Sequence, residues 1–334
     1  MYINSTIIFV FLLCCNTTWS LFGQQFQFNV LQHGTSFKDS SYYDILNMDD
    51  NKYWAIGEYG IITEIDQSGN LKNISYPNKG VDLYDAIQLT GNRYIFSCDA
   101  GNLLFYDRDD NTWEYITFPG YKKYCFYKIA RISDTVAVVC GGKSVMTEKK
   151  KRIPFGFMLM TTDGGKTWKS IYKDILKMVW CVKYDTISRQ INAMLYTPGS
   201  TRLIASAVDD IQWKTVKKTS GLYHDFESAN GNFILSGSKN SKFLENGSVL
   251  INTLERIFDF STGFLWDVET SGQSLMGCGS NGYLVYINEN KTPVTLKTPV
   301  DNNLYKVFYL SENSALIAGN GKTLLGVAWK TDNE

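Results

Sequence analysis

Histidine is almost missing from this chain: 334 residues contain only His33 and His224. No two cysteines sit at CxxC spacing either, so the ligand sets that hold zinc are absent and no metal site is expected. Net charge is missing as well. Lys plus Arg number 33 and Asp plus Glu number 33, which leaves no global field to draw the chain onto nucleic acid. No apolar run is long enough to span a bilayer, which takes about 18 residues. The longest, Ile7–Cys15, is half that. Helix start and stop patterns are nearly absent, and the best local candidate, Lys173–Met178, is too short to matter. GxSxG and glycine-rich phosphate loops are lacking too, and no cofactor is expected.

What the chain does have begins with Ile7–Cys15, followed by small residues at Thr18, Ser20 and Gly23. This reads as a secretory leader over residues 1–23, with the mature chain starting near Leu21 or Gln24. Lipid attachment at Cys14 or Cys15 stays open, although Leu13 and Cys14 are not the small residues such a site prefers. Five cysteines follow the leader: Cys98, Cys125, Cys140, Cys181 and Cys278. An odd number cannot all pair within one chain. Most lie in apolar runs, as free buried thiols do.

Residues 24–334 read as one domain built from a repeat. The end of each unit's second strand is marked by Ala55-Ile-Gly57, Phe96-Ser-Cys98, Val138-Val-Cys140, Ala193-Met-Leu195, Leu235-Ser-Gly237, Leu275-Met-Gly277 and Ile317-Ala-Gly319. Successive marks stand 41, 42, 55, 42, 40 and 42 residues apart, and the long interval holds a charged insertion, Lys143–Pro154. Units of this length match a four-stranded propeller blade. The expected fold is all-β, a seven-bladed β-propeller with four antiparallel strands per blade. Third strands are expected at Gly60–Asp66, Gly101–Asp107 and Gly282–Asn288. The last unit supplies only three strands, so Phe26–Leu31 is expected beside Leu324–Trp329, closing the last blade and covering an open edge.

One turn between strands is written out fully, Thr161-Thr-Asp163-Gly-Gly165-Lys-Thr167-Trp168. Glycines can take φ > 0 there, the Asp163 carboxylate and the threonine hydroxyls can bond the turn's own backbone, and Trp168 offers a large face for burial. Thr-x-Asp-x-Gly-x-Thr-Trp resembles the Asp-box of neuraminidase repeats, and degenerate versions occur at Asp107–Trp113 and Ser206–Trp213. The chain as a whole resembles seven-bladed propellers related to the photosystem II assembly and stability factor. That resemblance implies a non-catalytic binding or assembly module, and it makes Thr161, Asp163, Gly165, Thr167 and Trp168 structural.

Sites with chemistry are thinner. Arg152-Ile-Pro154 matches a sialidase tripeptide, but it closes the insertion of the third unit instead of lying near the first strand. Tyr223-His224-Asp225 is local sequence, not a triad. Lys149–Arg152 reads as a solvated loop tip. The start of each first strand repeats an aromatic: Tyr43, Tyr84, Tyr127, Trp180, Tyr223, Trp266 and Tyr305. Strand alternation sends an aromatic and its following neighbour to opposite faces. The aromatics are therefore expected between blades, with Asp44, Asp85, Lys128, His224, Asp267 and Lys306 forming a polar, ligand-binding rim. The expected function is a secreted, monomeric module recognising a protein or glycan. The alternatives are a sialidase-like glycoside hydrolase and a surface lectin.

Overall fold

The computed structural model describes residues 17–21, 24–34, 39–48, 51–146, 152–197, 199–229, 232–238, 247–251, 256–260, 263–272, 274–288 and 293–330. The apolar run Ile7–Cys15 and residues 149–151 of the basic tip lie outside them. Among the described residues no helix is long and apolar enough to cross a membrane.

The chain is a β-propeller of four-stranded antiparallel blades. Six sheets each take four consecutive strands, the first being Tyr42–Asn47, Tyr53–Gly57, Ile62–Ile65 and Leu71–Asn73. The remaining sheet joins the two ends of the chain. Leu304–Ser311, Ser314–Gly319 and Thr323–Trp329 are followed by Gln24–Gln32, which pairs antiparallel to Thr323–Trp329 with Phe26 opposite Trp329. This sheet has five strands, not four, because Thr17–Leu21 folds back on Gln24–Gln32 with Thr17 opposite Phe28. The outermost strand therefore comes from within the stretch expected to be a leader.

Apolar layers between consecutive sheets hold the fold. Trp54 and Ile56 of the first sheet pack on Phe96 and Leu104 of the second. The last layer joins the closing sheet to the first, where Tyr53 meets Phe308 at 5.7 Å. Cys98, Cys140, Cys181 and Cys278 are buried and unbridged, so they behave as small apolar side chains. Tight turns precede several third strands. Tyr59-Gly60, Ala100-Gly101 and Asn281-Gly282 all take positive φ. At Gly282 a Cβ would stand 1.8 Å from the Val300 carbonyl oxygen, so no other residue fits. These turns shorten the strand expected from Gly60 to Ile62–Ile65.

The Thr161–Trp168 turn is closed by its own side chains. Asp163 Oδ1 accepts from Thr161 Oγ1 (2.8 Å) and the Thr167 amide (2.9 Å), while its Oδ2 accepts from Thr167 Oγ1 (2.6 Å). Thr161 Oγ1 accepts from the Gly165 amide at 2.9 Å, and Trp168 Nε1 donates to the Gly165 carbonyl at 3.0 Å. Bonds from Thr167 hold the Asp163 carboxyl down at about 2. The turn links two outer strands and is remote from the channel. Trp168→Ala is expected to cost about 2–4 kcal/mol through the cavity it leaves against Phe118 and its neighbours. Asp163→Ala should lower the melting temperature by less. A thermal melt of both variants checks the order, and a larger drop for Asp163→Ala would contradict it.

The insertion does not loop out at Lys143. Ala137–Met146 and Arg152–Thr161 pair along their whole length, with Met146 opposite Arg152 and Ser144 opposite Pro154. The first strand of that sheet ends its pairing at Cys125 opposite Gly142. A two-stranded arm therefore extends past the mouth end of the innermost strand. Arg152 is part of that arm, which gives the tripeptide a strand role.

Candidate functional site at the channel mouth

Every innermost strand carries a β-bulge at the same place. Tyr42 pairs with Gly57 and Asp44 with Ile56, which leaves Tyr43 as the extra residue. The same skip leaves out Tyr84, Tyr127, Trp180, His224, Trp266 and Tyr305 in the other six sheets. A bulge bends the strand and re-aims the extra side chain. Here it turns each ring towards the channel axis, and strict alternation fails at that residue.

The seven rings touch in a closed circle. Centroids lie at 5.4 Å for Tyr43–Tyr84, 5.7 Å for Tyr84–Tyr127 and 4.9 Å for Tyr127–Trp180. The circle continues at 5.4 Å for Trp180–His224, 5.3 Å for His224–Trp266 and 5.5 Å for Trp266–Tyr305. Tyr305–Tyr43 completes it at 5.8 Å. All seven are half-buried. They enclose a cavity of 260 Å³, at whose base lie Lys128, Asp225 and Asp267.

This reverses the expected arrangement. The aromatics line the mouth, and the charges lie beneath them. Asp44, Asp85 and Asp267 are buried. Each carboxylate accepts an amide from the next sheet's innermost strand. Ala86 donates to Asp44 Oδ2 at 3.1 Å, Ile129 to Asp85 Oδ2 at 2.7 Å, and Val307 to Asp267 Oδ2 at 2.9 Å. They act as latches between sheets. Lys128 Nζ lies 3.1 Å from Asp85 Oδ1, and Lys306 Nζ lies 3.3 Å from Asp267 and 3.2 Å from Glu269. Of the six expected rim residues, Lys128, His224 and Asp267 reach the cavity, while Asp44, Asp85 and Lys306 do not line it.

Tyr223 is the other correction. It is buried and pairs with Gly237, as Tyr42 does with Gly57, so His224 takes the place in the circle. The next residue, Asp225, was not among the expected site residues. It accepts from Cys181 Sγ at 3.1 Å and lies 3.3 Å from Lys183, which also pairs with Glu227. The triplet of large apolar, ring and polar residue would have found it: Tyr42-Tyr43-Asp44, Leu83-Tyr84-Asp85, Tyr223-His224-Asp225.

Protonation beneath the rings is uneven. Burial works against the Asp225 charge, but Lys183, Lys128 and Lys306 outweigh it and hold the carboxyl far down. Burial and the Asp85 charge push Asp44 up to about 8, and burial also raises Asp267. Burial lowers His224, which stays neutral with Nδ1 donating to the Trp266 carbonyl at 3.0 Å. The signs then oppose. A raised carboxyl gives stability that is lost as pH climbs through its folded value. A depressed imidazole gives stability that is lost as pH falls below its ordinary value of about 6.5. The raised carboxyls lose their contribution from about pH 4 up to about pH 8, and His224 offsets this only below about pH 6.5, so melting temperature should fall between about pH 6.5 and 8 and level off above. Asp44→Asn keeps an acceptor for Ala86 and should flatten that fall. An unchanged slope in that variant would contradict the assignment.

No family description and no curated protein matches the sequence. Many solved structures match the fold. YCF48, a photosystem II assembly factor, in a structure described as bound to D1 peptide, gives a TM-score of 0.67 at 14% identity, covering 91% of this chain and 96% of that one. YCF48 from Cyanidioschyzon merolae gives 0.65 at 13%, covering 90% and 98%. Virginiamycin B lyase from Staphylococcus aureus gives 0.64 at 10%, covering 91% and 99%. At these identities the likeness concerns the fold alone.

Proposed function

We propose that the chain is a seven-bladed propeller, closed by its N-terminal strand, that works as a non-catalytic binding module and takes a segment of a protein partner at the ring-lined channel mouth. The observation that carries this is the closed circle of seven half-buried rings, since aromatic side chains in a concave, partly apolar site are the usual anchors of recognition. The charges nearest the mouth are spent on latches and ion pairs within the fold, which favours binding over acid–base chemistry. YCF48 bound to a D1 peptide offers a parallel on the same fold. A glycan is the second reading, because sugar faces also stack on rings. Export belongs to the same proposal, and cleavage near Gln24 would remove Thr17–Leu21 and leave Gln24–Gln32 as the outer strand of the closing sheet.

The test is selection of peptides from a displayed random library on wild-type protein, followed by titration of a Trp180→Leu/Trp266→Leu double variant. Affinity for the selected peptides should fall at least tenfold in a double variant that still melts cooperatively. Peptides bound equally by the folded double variant would move the site elsewhere. Saturable binding of a neutral oligosaccharide with no peptide selected would favour the glycan.

A further inference from the structure

Resting on the mouth as the binding site, we infer that its specific ligand group is an alkylated ammonium cation, inserted along the channel axis into the circle of rings. Four observations converge on this chemistry. The first is size. Neighbouring ring centroids stand 4.9–5.8 Å apart. A regular seven-membered ring of that side has its corners about 6 Å from its axis, the distance at which a cation is still attracted by a ring face turned towards it. Taking off the thickness of the rings leaves an opening a few ångströms in radius, which suits a methylated ammonium head.

The second is charge. Beneath the rings Asp225 is held ionised by Lys183, Lys128 and Lys306, while burial raises Asp44, Asp267 and Glu227. Asp225, Asp267 and Lys128 border the cavity itself. A cation entering from above therefore meets the ionised Asp225, and its charge favours ionisation of Asp267 beside it.

The third is the wiring of the phenols. Tyr43 donates its hydroxyl to Glu58 Oε1 at 2.9 Å, and Tyr84 donates to Asp82 Oδ2 at 3.5 Å. A phenol donating to a carboxylate has a more electron-rich ring, so its face attracts a cation more strongly. The two carboxylates add further negative potential at the rim. The fourth is the neutrality of His224, the one ring in the circle able to carry a positive charge. Burial lowers its pKa and outweighs the Nδ1–H bond to the Trp266 carbonyl, so the circle itself does not repel a cation at neutral pH.

Choline and tetramethylammonium serve as free probes, with 3,3-dimethylbutan-1-ol as the neutral analogue of choline having the same shape. Two peptides of one sequence, carrying trimethyllysine or norleucine at the centre, serve as side-chain probes. Intrinsic fluorescence follows binding through Trp180 and Trp266, and calorimetry supplies affinities. The cations should saturate, with dimethylbutanol at least tenfold weaker than choline. Trp266→Phe should weaken choline a few-fold and Trp266→Leu tenfold or more, with Tyr84→Leu as a second variant should Trp266→Leu fail to fold. A trimethyllysine peptide tighter than choline assigns the cation to a protein partner, and choline tighter than the peptide assigns it to a free small molecule; both support the inference. Equal binding of choline and dimethylbutanol overturns it. So does saturation by a neutral methyl glycoside without any response to the cations. If the cations fail while library-selected peptides still need Trp180 and Trp266, this inference falls and the binding-module reading stands; if both fail, both fall.

Discussion

Removing residues 24–32 should abolish cooperative folding. Phe26 and Phe28 are wholly buried, packed with Tyr286 and Trp329 in the layer between the sixth sheet and the closing one. Losing either ring to alanine alone is worth about 3–5 kcal/mol. The deletion removes both, together with every backbone bond to Thr323–Trp329, against a total stability of about 5–15 kcal/mol for a folded domain. It also bares a flat apolar edge, which invites pairing between molecules. Circular dichroism melts and light scattering read the two effects. The point variant Phe28→Ala should keep the fold and lose about 3–5 kcal/mol in denaturant unfolding. A deletion that melts like the wild type would remove the strand from its place in the closing sheet.

Asp85→Ala should be the most damaging single change at the channel. It leaves the Ile129 amide without its carboxylate acceptor and strands Lys128, whose raised pKa depends on Asp85 first among its neighbours once burial is overcome. Removing one partner of a buried pair costs about 3–5 kcal/mol, because a desolvated charge is left behind. Asp85→Asn keeps an acceptor for Ile129 and should cost less. Asp267→Ala should follow the same pattern through Val307 and Lys306. Melting temperatures barely changed by Asp85→Ala and Asp267→Ala would mean that these groups are solvated rim charges, as strand alternation alone suggests.

The architecture was open to reading because its causes are periodic. Second strands ending in small residues recur every 40 to 42 residues apart from one insertion, and turn glycines recur because a Cβ would collide with backbone there. The need to cover the edge of Thr323–Trp329 named Phe26–Leu31 as its neighbour, which the pairing of Gln24–Gln32 matches. The mouth was misread for one physical reason. Alternation assigns faces only while the ladder keeps its register, and a bulge breaks the register without any glycine or proline to announce it. In the fifth unit two ring-bearing residues, Tyr223 and His224, are adjacent, and a frame set by the nearest tyrosine slipped by one. The spacing marks drift against the pairing as well: Tyr42 faces Gly57, the last residue of its mark, whereas Phe126 faces Gly141, one past Cys140, and Leu265 faces Gly279, two past Gly277.

The central claim is that bulged strands turn their rings into an open, ligand-binding circle instead of burying them between sheets. Fluorine NMR of protein carrying 5-fluorotryptophan at its eight tryptophans tests this directly, with signals assigned through Trp180→Phe and Trp266→Phe. A soluble paramagnetic agent should broaden the Trp180 and Trp266 resonances and leave those of buried Trp54 and Trp329 sharp, and a library-selected peptide should shift the first pair and protect it from the agent. If Trp180 and Trp266 are as sheltered as Trp54, or if the peptide leaves them unmoved, the circle is packing and the account of the mouth is wrong.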